Sequence, residues 1–209
     1  EYSQISFSQY AEDIVLQSFL TKSKGFYVDI GAHHPHRFSN TFIFYLKGWN
    51  GINVDATPGS MKIFRDIRPR DINIEIGISN QKTNLLFYQF QEPAINTFSK
   101  ELADIYISRG KQFVNINEIK TISLEELLDN YLPKNQKIDF LTIDIEGLDE
   151  VVLKSNNWNK YKPEFIILEL WNDNIESIIS TEIYKLLTSL NYRLVAKTLC
   201  SLFFKLNNS

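Results

Sequence analysis

The stretch "YRLVAKTLCSLFFKL" (192–206) contains two short runs rich in β-branched, aromatic and other apolar residues, with almost nothing between them. Strands joined by so short a connection must pair antiparallel, because a parallel pair needs a crossover of about a dozen residues or more. The stretch therefore predicts a β-hairpin at one edge of a sheet.

Upstream of this hairpin, short buried strands alternate with amphipathic helices, the last of which is predicted to be long, over 174–190. The predicted strands are GFYVDIGA, GINVDA, INIEIGI (72–78), IDFLTIDIEG (138–147) and EFIILEL (164–170). Such alternation is typical of βαβ units and of a mainly parallel sheet. Together with the hairpin it predicts an α/β protein with a seven-stranded sheet of the Rossmann-like class I methyltransferase type, rather than a plain dinucleotide-binding domain.

The length of 209 residues, with 44% hydrophobic and 22% charged residues, fits one globular domain over 1–209. The segment 79–137, between the third and fourth predicted strands, is too long for an ordinary crossover. It contains two strand-like runs and two helical runs. We interpret it as an inserted cap or a set of substrate-side elements.

Composition also limits the class of partner and the compartment. The formal net charge of −3 argues against a nucleic-acid partner, which favours a concentrated basic face. No apolar run approaches the length of a membrane span, and the sequence does not begin like a signal peptide. Cys200 is the single cysteine, which favours a reducing compartment. We expect a cytoplasmic protein without a membrane span.

Acidic residues stand at the ends of four predicted strands. In open α/β sheets, ligands bind beyond the carboxyl ends of the strands, near the point where the strand order reverses. The residues that this rule selects are Asp29, Gly31, Asp55, Ile78 within 77–79, Asp144, Glu146 and Glu169. Gly31 would allow close backbone approach, and Asp55 could accept hydrogen bonds from two ribose hydroxyls. Any single acid among them could instead cap a helix.

Four sequence blocks resemble, in the same order, the FkbM-type family of S-adenosylmethionine-dependent methyltransferases. The blocks are SQYAEDIVL, VDIGAHHPHRFSNT, KGWNGINVDATPG and KIDFLTIDIEGLDEVVL. The resemblance runs from about residue 8 to 170. It implies a Rossmann-like fold and O-methylation of sugars or other hydroxylated biosynthetic products, which would place the protein in carbohydrate biosynthesis.

The resemblance also implies which residues hold S-adenosylmethionine. They are Gln9, Asp29, Gly31, Ser39, Asn40, Thr41, Asp55 and Ala56, and we add His33 from the same loop and Ile78 from the third strand end. The loop departs from the usual methyltransferase pattern, because His33, His34 and Pro35 stand where glycines are common. The resemblance therefore specifies the ribose end of the cofactor better than its methionine end.

The segment "SNT" (39–41) precedes a predicted helix and has two compatible interpretations. It could contact an anionic group at the helix N-terminus, or Ser39 or Asn40 could cap the helix. Gln9 likewise has a structural alternative, since Ser6 and Gln9 match a capping box.

Methyl transfer to an alcohol needs positioning and benefits from a base or a metal ion. The candidate catalytic residues are Asp144, Glu146, Glu169 and His34. Asp144 lies nearest the expected reaction centre. Glu146 faces the same cleft if the strand continues to it, and diverges if the chain turns helical. A divalent metal is possible but not favoured, and its ligands would be Asp144, Glu169 and His34.

The acceptor is predicted to be a small-molecule hydroxyl, of a sugar or a nucleotide-sugar. Aromatic residues in the candidate wall, Tyr88, Tyr106 and Trp171, suit sugar rings but are equally common in protein cores. One alternative is an NAD-linked oxidoreductase, although the loop lacks the G-x-G-x-x-G pattern. Others are a non-catalytic binding module of the same fold and a zinc- or manganese-dependent hydrolase.

Overall fold

The computed structural model describes residues 3–171 and 174–207. Its strands are β1 (Phe26–Ile30), β2 (Asn50–Asp55), β3 (Ile72–Glu75), β4 (Gly77–Ile78), β5 (Thr83–Phe90), β6 (Phe113–Ile122), β7 (Phe140–Ile143), β8 (Phe165–Glu169), β9 (Tyr192–Lys197) and β10 (Ser201–Leu206). Its α-helices are α1 (Glu12–Phe19), α2 (Phe42–Leu46), α3 (Ser60–Ile67), α4 (Lys100–Ser108), α5 (Leu124–Tyr131), α6 (Asp149–Lys154), α7 (Ile175–Ile178) and α8 (Glu182–Ser189), and a short 3₁₀ helix spans Pro93–Ile95.

Seven strands form one sheet in the order β3-β2-β1-β7-β8-β10-β9. The first five in this order pair in parallel, whereas β10 is antiparallel to both β8 and β9. This confirms the predicted class I methyltransferase architecture with its antiparallel hairpin. The strand order reverses beside β1, so the carboxyl ends of β1 and β7 meet at the point where open sheets bind ligands.

Helices cover both faces of the sheet, because its central strands are apolar on both sides. All five residues of β1 are buried. On one face Val28 packs in a core that includes three leucines of α5, and on the other Tyr27 packs with Leu16 of α1 and Phe44 of α2. This three-layer core makes the strand ends a rigid base for the site.

Two elements differ from the sequence-based prediction. The predicted strand over 72–78 divides at Ile76, so that β3 belongs to the main sheet and β4 to a three-stranded sheet of order β4-β6-β5. The predicted helix over 174–190 divides into α7 and α8, because Thr181 caps the second helix and accepts a hydrogen bond from the Tyr184 N–H. A capping side chain starts a new helix inside a pattern whose apolar spacing looks continuous.

The small sheet, the 3₁₀ helix and α4 form a cap on the main sheet, and all of these elements except β4 lie within the predicted insertion. In contrast, α5 packs into the main core through Leu124, Leu127 and Leu128. It therefore serves as the crossover helix to β7, although the predicted insertion included it. The organisation of residues 1–209 as a single domain stays a prediction.

A buried arginine ties the loop after β1 to the sheet. Arg68 follows α3, and its side chain is fully buried. Its Nε donates to Asp71 Oδ2 at 2.8 Å, and one NH2 group donates to the Tyr27 hydroxyl at 2.7 Å. The other reaches the Pro35 carbonyl at 3.3 Å and Thr41 Oγ1 at 3.0 Å. The buried guanidinium group of Arg68 thus holds the loop after β1 in its conformation.

None of the helices in the described ranges is long and apolar enough to cross a membrane.

Candidate active site

A pocket of about 650 Å³ opens at the carboxyl ends of β1, β7 and β8. We call it the large pocket. The sequence-predicted residues that line it are Gln9, Gly31, His33, Asp144, Glu146 and Glu169. Residues of the cap, chiefly from α4, form the opposite wall. The site is therefore a cleft between the sheet and the inserted elements.

Three carboxylates converge on the floor of the large pocket. One oxygen from each of Asp144, Glu146 and Glu169 lies within 4.8 Å of the others. β7 ends at Ile143, and the chain then turns through left-handed conformations at Glu146 (φ 49°) and Gly147 (φ 98°). Glu146 thus faces the cleft although β7 ends before it. The left-handed turn directs its side chain there, whereas the sequence predicts this only if the strand continues to Glu146.

A fourth carboxylate, absent from the sequence-based candidates, lies beside this cluster. Asp149 begins α6, is only 7% exposed, and its Oδ1 has no hydrogen-bond partner. It lines a side recess of about 310 Å³ together with Glu146 and Glu169. The available signal was an acid three residues after Glu146 at a predicted helix start, where a capping role is the ordinary interpretation.

Crowding shifts the pKa values of these groups upward. Asp144 is open to the pocket, yet protein surrounds it on the remaining sides, and this loss of solvation together with the charges of Glu169 and Glu146 raises its pKa well above the usual range. Loss of solvation and the charges of Glu146 and Asp149 raise the pKa of Glu169 to about 8. Burial raises that of Glu146 as well, although Tyr106 donates to its Oε2 at 2.5 Å. The cluster therefore favours a proton or a cation among its oxygens.

A small pocket of about 50 Å³ adjoins the large one and contains the predicted ribose-binding acid. Asp55 and Ala56 line it, and Gly31 and Asp144 line both pockets. Asp55 accepts from the His33 N–H at 2.9 Å and from the Thr57 N–H at 2.7 Å. These bonds fix the carboxylate, and each oxygen keeps a lone pair for a further donor.

Gly31 is required for a reason that the sequence does not show. Its φ is 84°, and a Cβ atom there would lie 1.8 Å from the Asp144 carbonyl oxygen. The close backbone approach that Gly31 allows is therefore an approach between the ends of β1 and β7. A ligand can approach the same backbone from another side. A side chain at this position would push the two strand ends apart.

Several predicted cofactor residues lie beneath the pockets instead of lining them. Asp29 is buried and accepts from Thr41 Oγ1 at 2.7 Å. Ser39 accepts from the Phe42 N–H at 3.1 Å, and Asn40 donates to Thr142 Oγ1 at 3.1 Å. Ile78 packs in the main core. In the SNT segment, Thr41 is the N-cap residue of α2 and makes no side-chain capping hydrogen bond, whereas Ser39 accepts from the first N–H group of the helix.

The histidines of the loop separate into different environments. His33 lines both pockets in a left-handed conformation (φ 52°), and burial lowers its pKa. His34 Nδ1 accepts from the backbone N–H groups of His36 and Arg37, at 3.3 and 3.2 Å. The structure thus uses His34 to hold the loop, and it does not place His34 in the carboxylate group that could hold a metal ion.

Part of the pocket wall was not among the predicted site residues. Arg37 and Glu92 form a bidentate ion pair with distances of 3.0 and 2.7 Å. Phe38 and Arg109 also line the pocket, together with Tyr106, which the sequence had already indicated as a candidate wall residue. These residues come from the loop and the cap, so only the folding of the cap onto the sheet brings them together.

The buried Asp29 supplies a stability prediction. Burial raises its pKa to about 6, against the hydrogen bond from Thr41 and the charge of Arg68, while the charges of Asp71 and Asp55 raise it further. The native state thus holds a proton that the unfolded state releases above its ordinary pKa of 3.8. The stabilisation is complete below this value and is lost as the pH rises through about 6.

We therefore expect Asp29→Asn to flatten the pH dependence of stability. Between pH 4 and 6, the free energy of unfolding of the wild type should fall relative to the variant by up to about 1.4 kcal/mol per pH unit. Urea denaturation at several pH values measures this difference. Asp66→Asn, at an exposed position of α3, is the control and should leave the slope unchanged. Equal slopes in wild type and Asp29→Asn would contradict the prediction.

Residues 29–194 match the methyltransferase FkbM domain, which is most of the sequence, and the chain belongs to this family. Comparison with solved structures finds similarity to a protein from Pyrococcus horikoshii assigned as an RNA methyltransferase. The identity is 9% and the TM-score 0.47, with 98% of this chain and 91% of that chain covered. A search of curated proteins finds no match. The chain is thus a member of a methyltransferase family.

Proposed function

We propose that the protein is an S-adenosylmethionine-dependent O-methyltransferase whose acceptor is a hydroxyl group of a sugar or nucleotide-sugar. The observation that carries this proposal is the adjacency of two features at the sheet switch point. A pocket that contains the fixed carboxylate of Asp55 adjoins a larger pocket floored by three further carboxylates. Family membership supports methyl transfer, and this geometry supports the choice of cofactor and reaction type.

The residues around Asp55 suit the ribose of the cofactor. Both Asp55 oxygens keep acceptor capacity toward ribose hydroxyls, and Gly31 lies at the boundary between the two pockets. Ala56 adds a small apolar side chain to the same wall. When bound, S-adenosylmethionine supplies an electrophilic methyl group.

Asp144 is the residue best placed to receive the proton of the acceptor hydroxyl. It lines both pockets, so it contacts the boundary at which acceptor and cofactor would meet. Glu146 also lines both pockets but accepts a hydrogen bond from Tyr106, and Glu169, on the neighbouring strand, lines the large pocket and not the small one. In this arrangement the alcohol oxygen would gain the methyl group as the bond from that group to the sulfonium sulfur breaks, which leaves S-adenosylhomocysteine, and the hydroxyl proton would pass to a carboxylate. Most of the rate enhancement would come from holding the hydroxyl in line with the methyl group.

The wall of the large pocket fits a glycosyl acceptor that carries an anionic group. Phe38, Tyr106 and Trp171 offer aromatic surface, and Trp171 is 59% exposed. Within the described part of the chain, the Arg109 guanidinium has no hydrogen bond or ion pair, so it is available to a phosphate. Aromatic faces bind the apolar faces of sugar rings, and arginine binds phosphate in a bidentate manner. We also propose a cytoplasmic location, which the single buried thiol of Cys200 supports.

Titration with S-adenosylhomocysteine tests the cofactor assignment. We expect binding to the wild type, and Asp55→Asn should raise the Kd roughly 10- to 100-fold, because charge-assisted hydrogen bonds worth about 1.5–3 kcal/mol each are weakened. Asp66→Asn is the matched control and should bind like the wild type. A folded wild-type protein that does not bind S-adenosylhomocysteine in calorimetry would overturn the proposal.

A further inference from the structure

We propose that Asp144, Glu146 and Glu169 bind one divalent cation of the Mg²⁺ or Mn²⁺ class on the floor of the large pocket. The three residues come from the turn after β7 and from the end of β8, so the fold holds their backbones at fixed positions. The predicted set of Asp144, Glu169 and His34 is thereby replaced, with Glu146 in the place of the histidine.

The donor geometry suits a hard cation. One carboxylate oxygen of each residue lies within 4.8 Å of the others, a spacing at which a single ion can contact all three. Mg²⁺ and Mn²⁺ prefer oxygen ligands, and Mg²⁺ keeps several coordination positions for water or substrate. All three carboxylates line the large pocket, so the remaining positions of the ion would face the acceptor.

Asp149 gives an independent indication of a ligand. Its Oδ1 is buried without a partner, and its side chain lines the recess that Glu146 and Glu169 also line. Buried polar atoms in proteins are nearly always satisfied, and an unsatisfied carboxylate oxygen is costly. A bound cation, through one of its water ligands, would satisfy this oxygen.

The charge around the cluster also favours a cation. Within the described ranges, no lysine, arginine or histidine forms an ion pair with any of the four acids. Arg37, on the pocket wall, is already paired with Glu92. The side chains that donate hydrogen bonds to these acids are neutral, namely the Tyr106 hydroxyl at Glu146 and the Trp171 indole N–H at Glu169. Buried or crowded carboxylates in proteins are protonated, paired or coordinate metals, and no basic side chain in the part of the chain that the structure describes is paired with these acids.

The catalytic consequence of this site rests on the proposed function. An ion held by the three carboxylates would bind the acceptor hydroxyl, or a pair of neighbouring sugar hydroxyls, and would stabilise the alkoxide that develops during transfer. The hydroxyl proton would pass to a carboxylate oxygen, and the acceptor oxygen would bond to the methyl group as the bond from that group to the sulfonium sulfur breaks, which leaves S-adenosylhomocysteine. Binding of the ion itself does not depend on this reaction.

Mn²⁺ titration of the EDTA-treated full chain, followed by electron paramagnetic resonance, tests the site. We expect one Mn²⁺ per chain, and binding at least tenfold weaker in Glu169→Gln and in Glu146→Gln. Two ligand variants are used so that misfolding of one leaves the other informative, with circular dichroism as the check. Glu118→Gln, at an exposed position on β6, is the matched control and should bind Mn²⁺ like the wild type.

Absence of Mn²⁺ binding to the folded wild type would overturn the site, as would binding that survives both ligand substitutions. Parallel calorimetry with S-adenosylhomocysteine separates the two proposals. Binding of S-adenosylhomocysteine without Mn²⁺ overturns the metal site and leaves the methyltransferase proposal in place. Binding of Mn²⁺ without S-adenosylhomocysteine supports the metal site and overturns the proposed function.

Discussion

Asp144→Asn should lower kcat by roughly a thousandfold, within the range of 10²–10⁴ that a positioned acid or base contributes. Asp144 lines both pockets and belongs to the carboxylate cluster, so it contacts the place where the acceptor would lie. An amide of nearly the same shape can neither receive the proton nor supply the same charge to a metal ion. The loss should therefore appear in the chemical step.

Single-turnover methyl transfer from radiolabelled S-adenosylmethionine to the acceptor measures this step directly. S-adenosylhomocysteine should still bind to Asp144→Asn, because Asp55 and its backbone donors are unchanged. Asp104→Asn, at an exposed position of α4, serves as the control and should retain wild-type turnover. Wild-type turnover in Asp144→Asn would exclude Asp144 from catalysis and would favour a protein that binds without reacting.

Arg68→Met should lower the free energy of unfolding by about 3–5 kcal/mol, the usual cost of removing one partner from a buried ion pair. The side chains of Arg68 and Asp71 are both fully buried, with 2.8 Å between Nε and Oδ2. Methionine has a similar length but no charge. The substitution leaves the Asp71 carboxylate buried without its cation, and it leaves the Pro35 carbonyl without the guanidinium donor.

Chemical denaturation of wild type and variant measures this loss, and Arg65→Met provides a matched control on the neighbouring helix. Arg65 is exposed on α3, so its replacement should change the free energy of unfolding by no more than about 0.5 kcal/mol. Equal effects of the two substitutions would show that the buried pair adds nothing beyond an exposed charge. Because Arg68 also holds the loop after β1, we expect weaker S-adenosylhomocysteine binding by Arg68→Met wherever it remains folded.

The sequence was sufficient for the class of fold because the element types and the strand directions follow from local patterns. The short connection between the two apolar runs at 192–206 left antiparallel pairing as the single option, and alternation of strands and helices implied the parallel part. The same patterns located Asp55, Asp144 and Glu169 at strand ends. These positions depend on the chain over a few residues, so they can be found without tertiary contacts.

Local patterns could not predict which side chains converge. Glu146 reaches the pocket through a left-handed turn that neither strand nor helix periodicity describes. Asp149 stands at a helix start, where an acid usually caps the helix, and only the structure shows its unpartnered oxygen and the recess that it shares with Glu146 and Glu169. His34, a reasonable candidate base by type and position, binds backbone N–H groups of its own loop instead. Each outcome depends on a backbone direction or a packing contact between segments distant in sequence.

The sequence by itself therefore determined the class of fold, the family resemblance and the strand-end acids, since these follow from residue spacing along the chain. Only the tertiary structure decided that Arg68 lies under the loop, that Gly31 admits the end of β7, and that the cap completes the pocket wall. The physical reason is that burial and charge pairing are properties of contacts between distant segments. Such contacts exist only after the sheet, the loop and the cap have packed together.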